Sequence, residues 1–151
     1  MKKSYFPLFI DISQKKILII GAGKIAQRRV ETLLEFAEDI RVIAPRASRR
    51  IRQLHEEGRI RWIQDVYHAE QLEGADLVLA ATDDMICNEQ VIEDCRTRSI
   101  PANTSHKKEL CDFYFPGIIR QGDITIGISS GGQNHQEVRE AREKLEAILK
   151  N

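Results

Sequence analysis

The spacing Gly21-Ala22-Gly23-Lys24-Ile25-Ala26 follows the apolar run 16–20 directly and opens a helical pattern. This G-x-G-x-x-A turn suits the binding of a pyrophosphate. The first glycine permits a tight turn, and the second lets the backbone approach the phosphates. The small Ala26 lets the helix lie close to the strand. The N–H groups and positive dipole end of that helix then face the anion. Gly21 and Gly23 therefore predict a bound dinucleotide; the alternative is a glycine turn that only seats the helix on a sheet.

A second cluster, Ala80-Ala81-Thr82-Asp83-Asp84, ends another apolar run. Its small residues leave room for a flat ring, and Thr82 and Asp83 offer polar contacts at the carboxyl end of a strand, where open α/β sheets bind ligands. Thr or Asp there would equally cap the following helix. Ser129-Ser130-Gly131-Gly132 precedes the last helical stretch and suits a carboxylate or phosphate, or a plain capped turn. Of the four histidines, His55 and His68 read as solvated. His106 follows Asn103-Thr104-Ser105 on the ligand side and is the best candidate for a general base. No histidine pair has metal-ligand spacing, and three cysteines without a C-x-x-C predict reduced thiols, so no metal site is indicated.

The elements that must position these residues alternate. Strand signals at 16–20, 40–44, 60–63, 76–81 and 100–103 are separated by helical patterns, the clearest at 25–36, 48–57 and 85–98. This alternation predicts an α/β fold, a Rossmann-type parallel sheet with helices on both faces and right-handed crossovers. After residue 110 the pattern changes. Residues 113–119 and 124–129 read as two strands joined by the turn Arg120-Gln121-Gly122-Asp123, and 136–150 as a charged amphipathic helix. The expected division is 1–111 for the dinucleotide-binding domain and 112–151 for a hairpin-and-helix region. The latter is too small for a core of its own, which predicts pairing with a second copy as a homodimer.

Composition narrows the partners. Lys plus Arg number 23, as do Asp plus Glu, so the net charge is zero. That balance argues against nucleic acid or a membrane surface as partner. No apolar run approaches a membrane span, and Pro7 and Asp11 interrupt the first one too early for a signal-peptide core, so a cytoplasmic location is expected. The acid that often bonds the ribose of NAD at the end of the second strand is missing. That place reads Ala44-Pro45-Arg46, and Arg46 could favour the 2′-phosphate of NADP, contact adenine or face solvent.

Several motifs together carry a resemblance. Phe6-Pro7-Leu8-Phe9, the glycine turn followed by Arg28-Arg29-Val30, Ala80-Ala81-Thr82-Asp83-Asp84 with Asn88, Asp112-Phe113-Tyr114-Phe115-Pro116, Ile128-Ser129-Ser130-Gly131-Gly132 and Arg142-Glu143-Lys144-Leu145-Glu146 occur in order. In these the chain resembles the precorrin-2 dehydrogenases, a family also found as the amino-terminal module of sirohaem synthases. The resemblance implies a Rossmann domain followed by a dimerisation region. It implies NAD-dependent oxidation of precorrin-2 to sirohydrochlorin, with iron or cobalt insertion in some members. It places NAD contacts at Lys24, Ile25, Pro45 and Arg46, and makes the missing ribose acid an ordinary variation. The nicotinamide is expected near Thr82 and Asp83, and the carboxylate-edged tetrapyrrole toward Asn103, His106, Ser129, Ser130 and Gly131.

The chain departs from the family in three places. His106 stands where the family commonly has an aspartate implicated in dehydrogenation and chelation. Gln133-Asn134-His135 replaces a loop that usually carries proline. The family usually continues beyond the position of Asn151 as a helical region, so part of the active-site wall or dimer surface is expected to be either absent or supplied by another chain. Two rival readings remain at this point: a carrier or sensor that binds tetrapyrrole and NAD without turnover, and an unrelated short-chain NAD(P) enzyme. The motifs after residue 112 argue against the latter.

Overall fold

The computed structural model describes residues 3–151. It divides into two compact units, Ile10–Asp112 and a second in which residues 3–9 join Phe113–Asn151.

The larger unit is a five-stranded parallel sheet in the order β3-β2-β1-β4-β5. Its strands are β1 (Lys16–Ile20), β2 (Asp39–Ile43), β3 (Arg61–Ile63), β4 (Leu77–Ala80) and β5 (Ala102–Thr104). The central strand β1 pairs with β2 on one side and β4 on the other, with Ile20 opposite both Ile43 and Ala80. A strand flanked on both edges and covered on both faces must be apolar throughout, and Ile17, Leu18, Ile19 and Ile20 are all buried. They join Ile43, Val78, Val91, Ile92 and Cys95 among the core residues. Each large aliphatic side chain buried this way contributes roughly 1.5–3 kcal/mol.

Helices α1 (Lys24–Leu33), α2 (Arg49–Glu56) and α3 (Met85–Thr97) make the crossovers, while a short 3-10 turn (Ala69–Leu72) replaces a helix between β3 and β4. Ser48 caps α2 by accepting from the Ile51 N–H, and Asp84 caps α3 by accepting from the Cys87 N–H. The expected strand at 100–103 is shifted to Ala102–Thr104. Ile100 still closes the end of α3 through Cys95, and Pro101 has no N–H, although its carbonyl accepts from the Val78 N–H.

The smaller unit holds the antiparallel pair β6 (Gly117–Gln121) and β7 (Ile124–Ile128) and helix α4 (His135–Leu149). The expected strand at 113–119 starts only at Gly117, directly after Pro116, which cannot donate to a ladder. Among the described residues of this unit only Ile119 is buried, and no residue of α4 is.

Candidate functional site

The strand order reverses at β1 and β4, so the crevice of the larger unit lies outside the carboxyl ends of those two strands. Four chain segments end there. Gly21 follows β1, Ala44 follows β2, Ala81 follows β4 and Ser105 follows β5. Hydrogen bonds hold them in register: Gly21 N–H to the Ile43 carbonyl, Ala81 N–H to Ile20, Ala44 N–H to Ile63 and Ser105 N–H to Ala80.

The two glycines of the turn differ in what they do. Gly21 has φ +112°, and a Cβ there would collide with the Ala81 carbonyl oxygen. It is therefore required for the fold itself. Gly23 has an ordinary φ of −86° and open space where a Cβ would point. It also leaves α1 without a side-chain cap, whereas the side chains of Ser48, Asp84 and Asn134 cap the other three α-helices. The first-turn N–H groups of α1 have no partner within the helix. Open space above uncapped donors at a helix N-terminus fits a pyrophosphate. Lys24 and the half-exposed Ile25 flank it, and the fully buried Ala26 lets α1 approach the sheet.

Pro45 and Arg46 lie exposed after β2, on a backbone fixed from below. Trp62 Nε1–H donates to the Ala44 carbonyl at 3.0 Å, and Gln64 Nε2 donates to the Pro45 carbonyl at 3.2 Å. The residues that follow β2, Ala44-Pro45-Arg46, include no acid; Asp39, at the opposite end of β2, pairs with Arg41 at 3.0 Å.

Beyond β4, Thr82 is drawn into an internal network while Asp83 stays exposed. The Thr82 N–H donates to Asn88 Oδ1 at 3.1 Å, the Thr82 carbonyl accepts from Asn88 Nδ2 at 3.0 Å, and the Thr82 hydroxyl lies 2.6 Å from the same Oδ1. Asn88 is completely buried. Met85 and Ile86, at the start of α3, are exposed apolar residues beside this loop.

His106 joins the same network from the β5 side. Its Nδ1 is 2.8 Å from Thr104 Oγ1 and 3.4 Å from Asn88 Nδ2. Its Nε2 is buried without a hydrogen-bond partner, 3.6 Å from Glu89 Oε1. Asn103 is buried and accepts a hydrogen bond from the Arg29 guanidinium of α1. Burial holds that guanidinium below its usual range. Cys111 bonds Thr104 through its side chain in both directions, donating to the carbonyl at 3.2 Å and accepting from the N–H at 3.3 Å.

Gly21, Gly23, Lys24, Ile25, Pro45, Arg46, Thr82, Asp83 and His106 thus all sit at the carboxyl ends of the sheet of one unit, and Asn103 lies within β5, one residue before its end. Ser129, Ser130 and Gly131 belong to the other. There Ser129 Oγ accepts from the Gly131 N–H at 3.1 Å and Ser130 Oγ from the Asn134 N–H at 3.0 Å, in a turn leading to α4. Sequence reasoning did not single out Glu89 or Thr104.

The sheet order, the switch-point crevice and the open glycine turn define a Rossmann-type dinucleotide-binding protein. Residues 8–117 match the family described as Putative NAD(P)-binding, and the chain belongs to that family. It is 39% identical over 145 residues to Siroheme synthase 1 of Serratia proteamaculans (strain 568), covering 96% of this chain and 30% of that protein. It is 39% identical over 146 residues to Siroheme synthase of Mannheimia succiniciproducens, covering 97% and 31%. The chain therefore spans less than a third of the length of these relatives. Among solved structures, SirC, precorrin-2 dehydrogenase, superposes with a TM-score of 0.82 at 22% identity, over 95% of this chain and 70% of that one, which establishes the shared fold. Among the described residues no helix is long and apolar enough to cross a membrane.

Proposed function

We propose that this chain is an NAD-dependent dehydrogenase that oxidises precorrin-2 to sirohydrochlorin in sirohaem biosynthesis. The observation that carries the reading is the open, uncapped Gly23 turn at the switch point, in a chain that aligns over nearly its whole length with siroheme synthases. In this reading Gly21, Gly23, Lys24 and Ile25 surround the pyrophosphate. Pro45 and Arg46 meet the adenosine end of NAD, and Thr82 and Asp83 border the nicotinamide. When bound, the nicotinamide supplies the hydride acceptor. Asn103 of the larger unit and, separately, Ser129, Ser130 and Gly131 of the smaller one are assigned to substrate carboxylates in this reading, and His106 lies where the accompanying proton is handled. Positioning contributes most of the rate, because the hydride acceptor belongs to the cofactor.

We place the enzyme in the cytoplasm as a homodimer. Free cysteines support the former. The thinly buried smaller unit, with Ile124 and Ile148 exposed, supports the latter. A monomeric mass by light scattering at micromolar concentration would remove the dimer.

The decisive experiment is anaerobic incubation with precorrin-2 and NAD. Appearance of the sirohydrochlorin spectrum together with NADH is expected. Ligand binding without either product would overturn the dehydrogenase reading and leave a carrier.

A further inference from the structure

We propose that Glu89 is the proton acceptor of this site and that His106 is its positioning residue, oriented so that its N–H rather than its lone pair faces the carboxylate. The inference deepens the dehydrogenase reading and rests on it for the identity of the reaction. It starts from Asn88, whose amide orientation is settled by backbone groups. The atom facing the Thr82 N–H must be the oxygen, and the atom facing the Thr82 carbonyl must be the nitrogen. Asn88 Nδ2 therefore presents N–H toward His106 Nδ1 at 3.4 Å. The Thr104 hydroxyl, 2.8 Å from the same nitrogen, is free to turn and donate as well. Nδ1 is the acceptor of this network, and the neutral imidazole carries its hydrogen on Nε2.

That assignment has a chemical consequence. The one basic lone pair of the neutral ring is turned inward against Asn88 and Thr104. The Nε2–H is buried and has no hydrogen-bond partner in place, and Glu89 Oε1 lies 3.6 Å from it. Glu89 is half exposed on α3, so a small rotation of its side chain brings the carboxylate onto the buried donor, an arrangement favoured because a buried N–H is costly to leave unpaired. Lys107 Nζ, 3.4 Å from the same oxygen, holds it from the solvent side. After that rotation a histidine N–H and an ammonium would together orient one carboxylate whose remaining lone pairs stay available.

Oxidation of precorrin-2 by NAD removes a hydride and one further proton. Bound NAD would supply the acceptor for the hydride released from one substrate C–H bond. A second substrate X–H bond breaks with its electron pair retained in the macrocycle, and its proton passes to a Glu89 carboxylate oxygen. From that half-exposed position it is lost to water. His106 neither gains nor loses a proton in the step.

Two measurements on the full chain test this. Long-range proton–nitrogen correlation on 15N-histidine-labelled protein should show neutral His106 as the Nε2–H tautomer; the Nδ1–H tautomer would overturn the pairing. In turnover, Glu89→Gln should lower kcat by about 100-fold or more with the KM for NAD nearly unchanged, and Glu89→Asp should restore part of it. A Glu89→Gln enzyme keeping more than half of the wild-type kcat would overturn the proton role. No turnover by the wild type would instead sink the dehydrogenase reading and the proton transfer with it, while the tautomer still decides the pairing.

Discussion

The space that a side chain on Gly21 would need is taken by Ala81. A Cβ there would collide with the Ala81 carbonyl oxygen and lie 2.7 Å from its carbonyl carbon, and the backbone φ of +112° disfavours any L side chain. The contact joins the ends of β1 and β4, so it cannot relax without parting the two central strands. Gly21→Ala is expected to cost about 3 kcal/mol or more and to lower the melting temperature by roughly 10 °C. Thermal unfolding of the variant checks this; a melting temperature within a degree or two of wild type would refute the steric account.

Gly23→Ala should behave in the opposite way. Its φ is ordinary and no atom lies within 4 Å of the added methyl, so the fold should lose only a few tenths of a kcal/mol. The methyl would, however, stand where the pyrophosphate meets the first turn of α1. NAD affinity measured by calorimetry is expected to fall about tenfold, or ~1.4 kcal/mol, with the melting temperature of the free protein preserved. Unchanged affinity would place the phosphates elsewhere.

This division between the two glycines shows where sequence was legible. Apolar runs at 16–20 and 76–81 mark buried strands because central parallel strands have no solvent face, and the turn after the first announces its phosphate geometry through residue type alone. The state of His106 was not legible. Its Nδ1 is claimed by Asn88 and Thr104 and its Nε2 lies toward Glu89. Asn88 and Glu89 reach it from α3 only once the β4–α3–β5 crossover has formed. Residue type marked His106 as able to accept a proton, and only tertiary placement decides which nitrogen could do so. Likewise Asp112 stood out as part of a motif, yet its work is local.

Asp112 acts as a substitute for a sixth strand. Its N–H donates to the Ala102 carbonyl and its Oδ2 accepts from the Ala102 N–H, both at 2.9 Å, so one residue pairs both polar groups of Ala102 on the edge strand β5. Asp112→Ala removes the acceptor and should destabilise the chain by about 1–2 kcal/mol, a loss of roughly 5 °C in melting temperature. Asp112→Asn keeps an amide oxygen at that place and should cost clearly less. Equal losses for the two variants would show that the carboxylate charge, not the hydrogen bond, is what matters.

Alkaline pH should weaken the fold through Cys95. Burial pushes this thiol up from an ordinary 9.0 to about 12, and the Asp94 and Asp112 carboxylates add to the effect. Tyr67, partly buried and donating a hydrogen bond to Asp94 at 2.7 Å, is likewise raised above its ordinary 10.0. In the unfolded chain these groups ionise near their ordinary values, while in the folded one they keep their protons. Between those limits the unfolded state binds fewer protons, so stability falls as pH rises. The contribution is intact below about pH 9 and is lost progressively toward about pH 12. The urea midpoint should therefore decline across that window, and Cys95→Ala, although less stable throughout, should show a shallower decline. Parallel declines in the two proteins would mean that other groups set the alkaline limit.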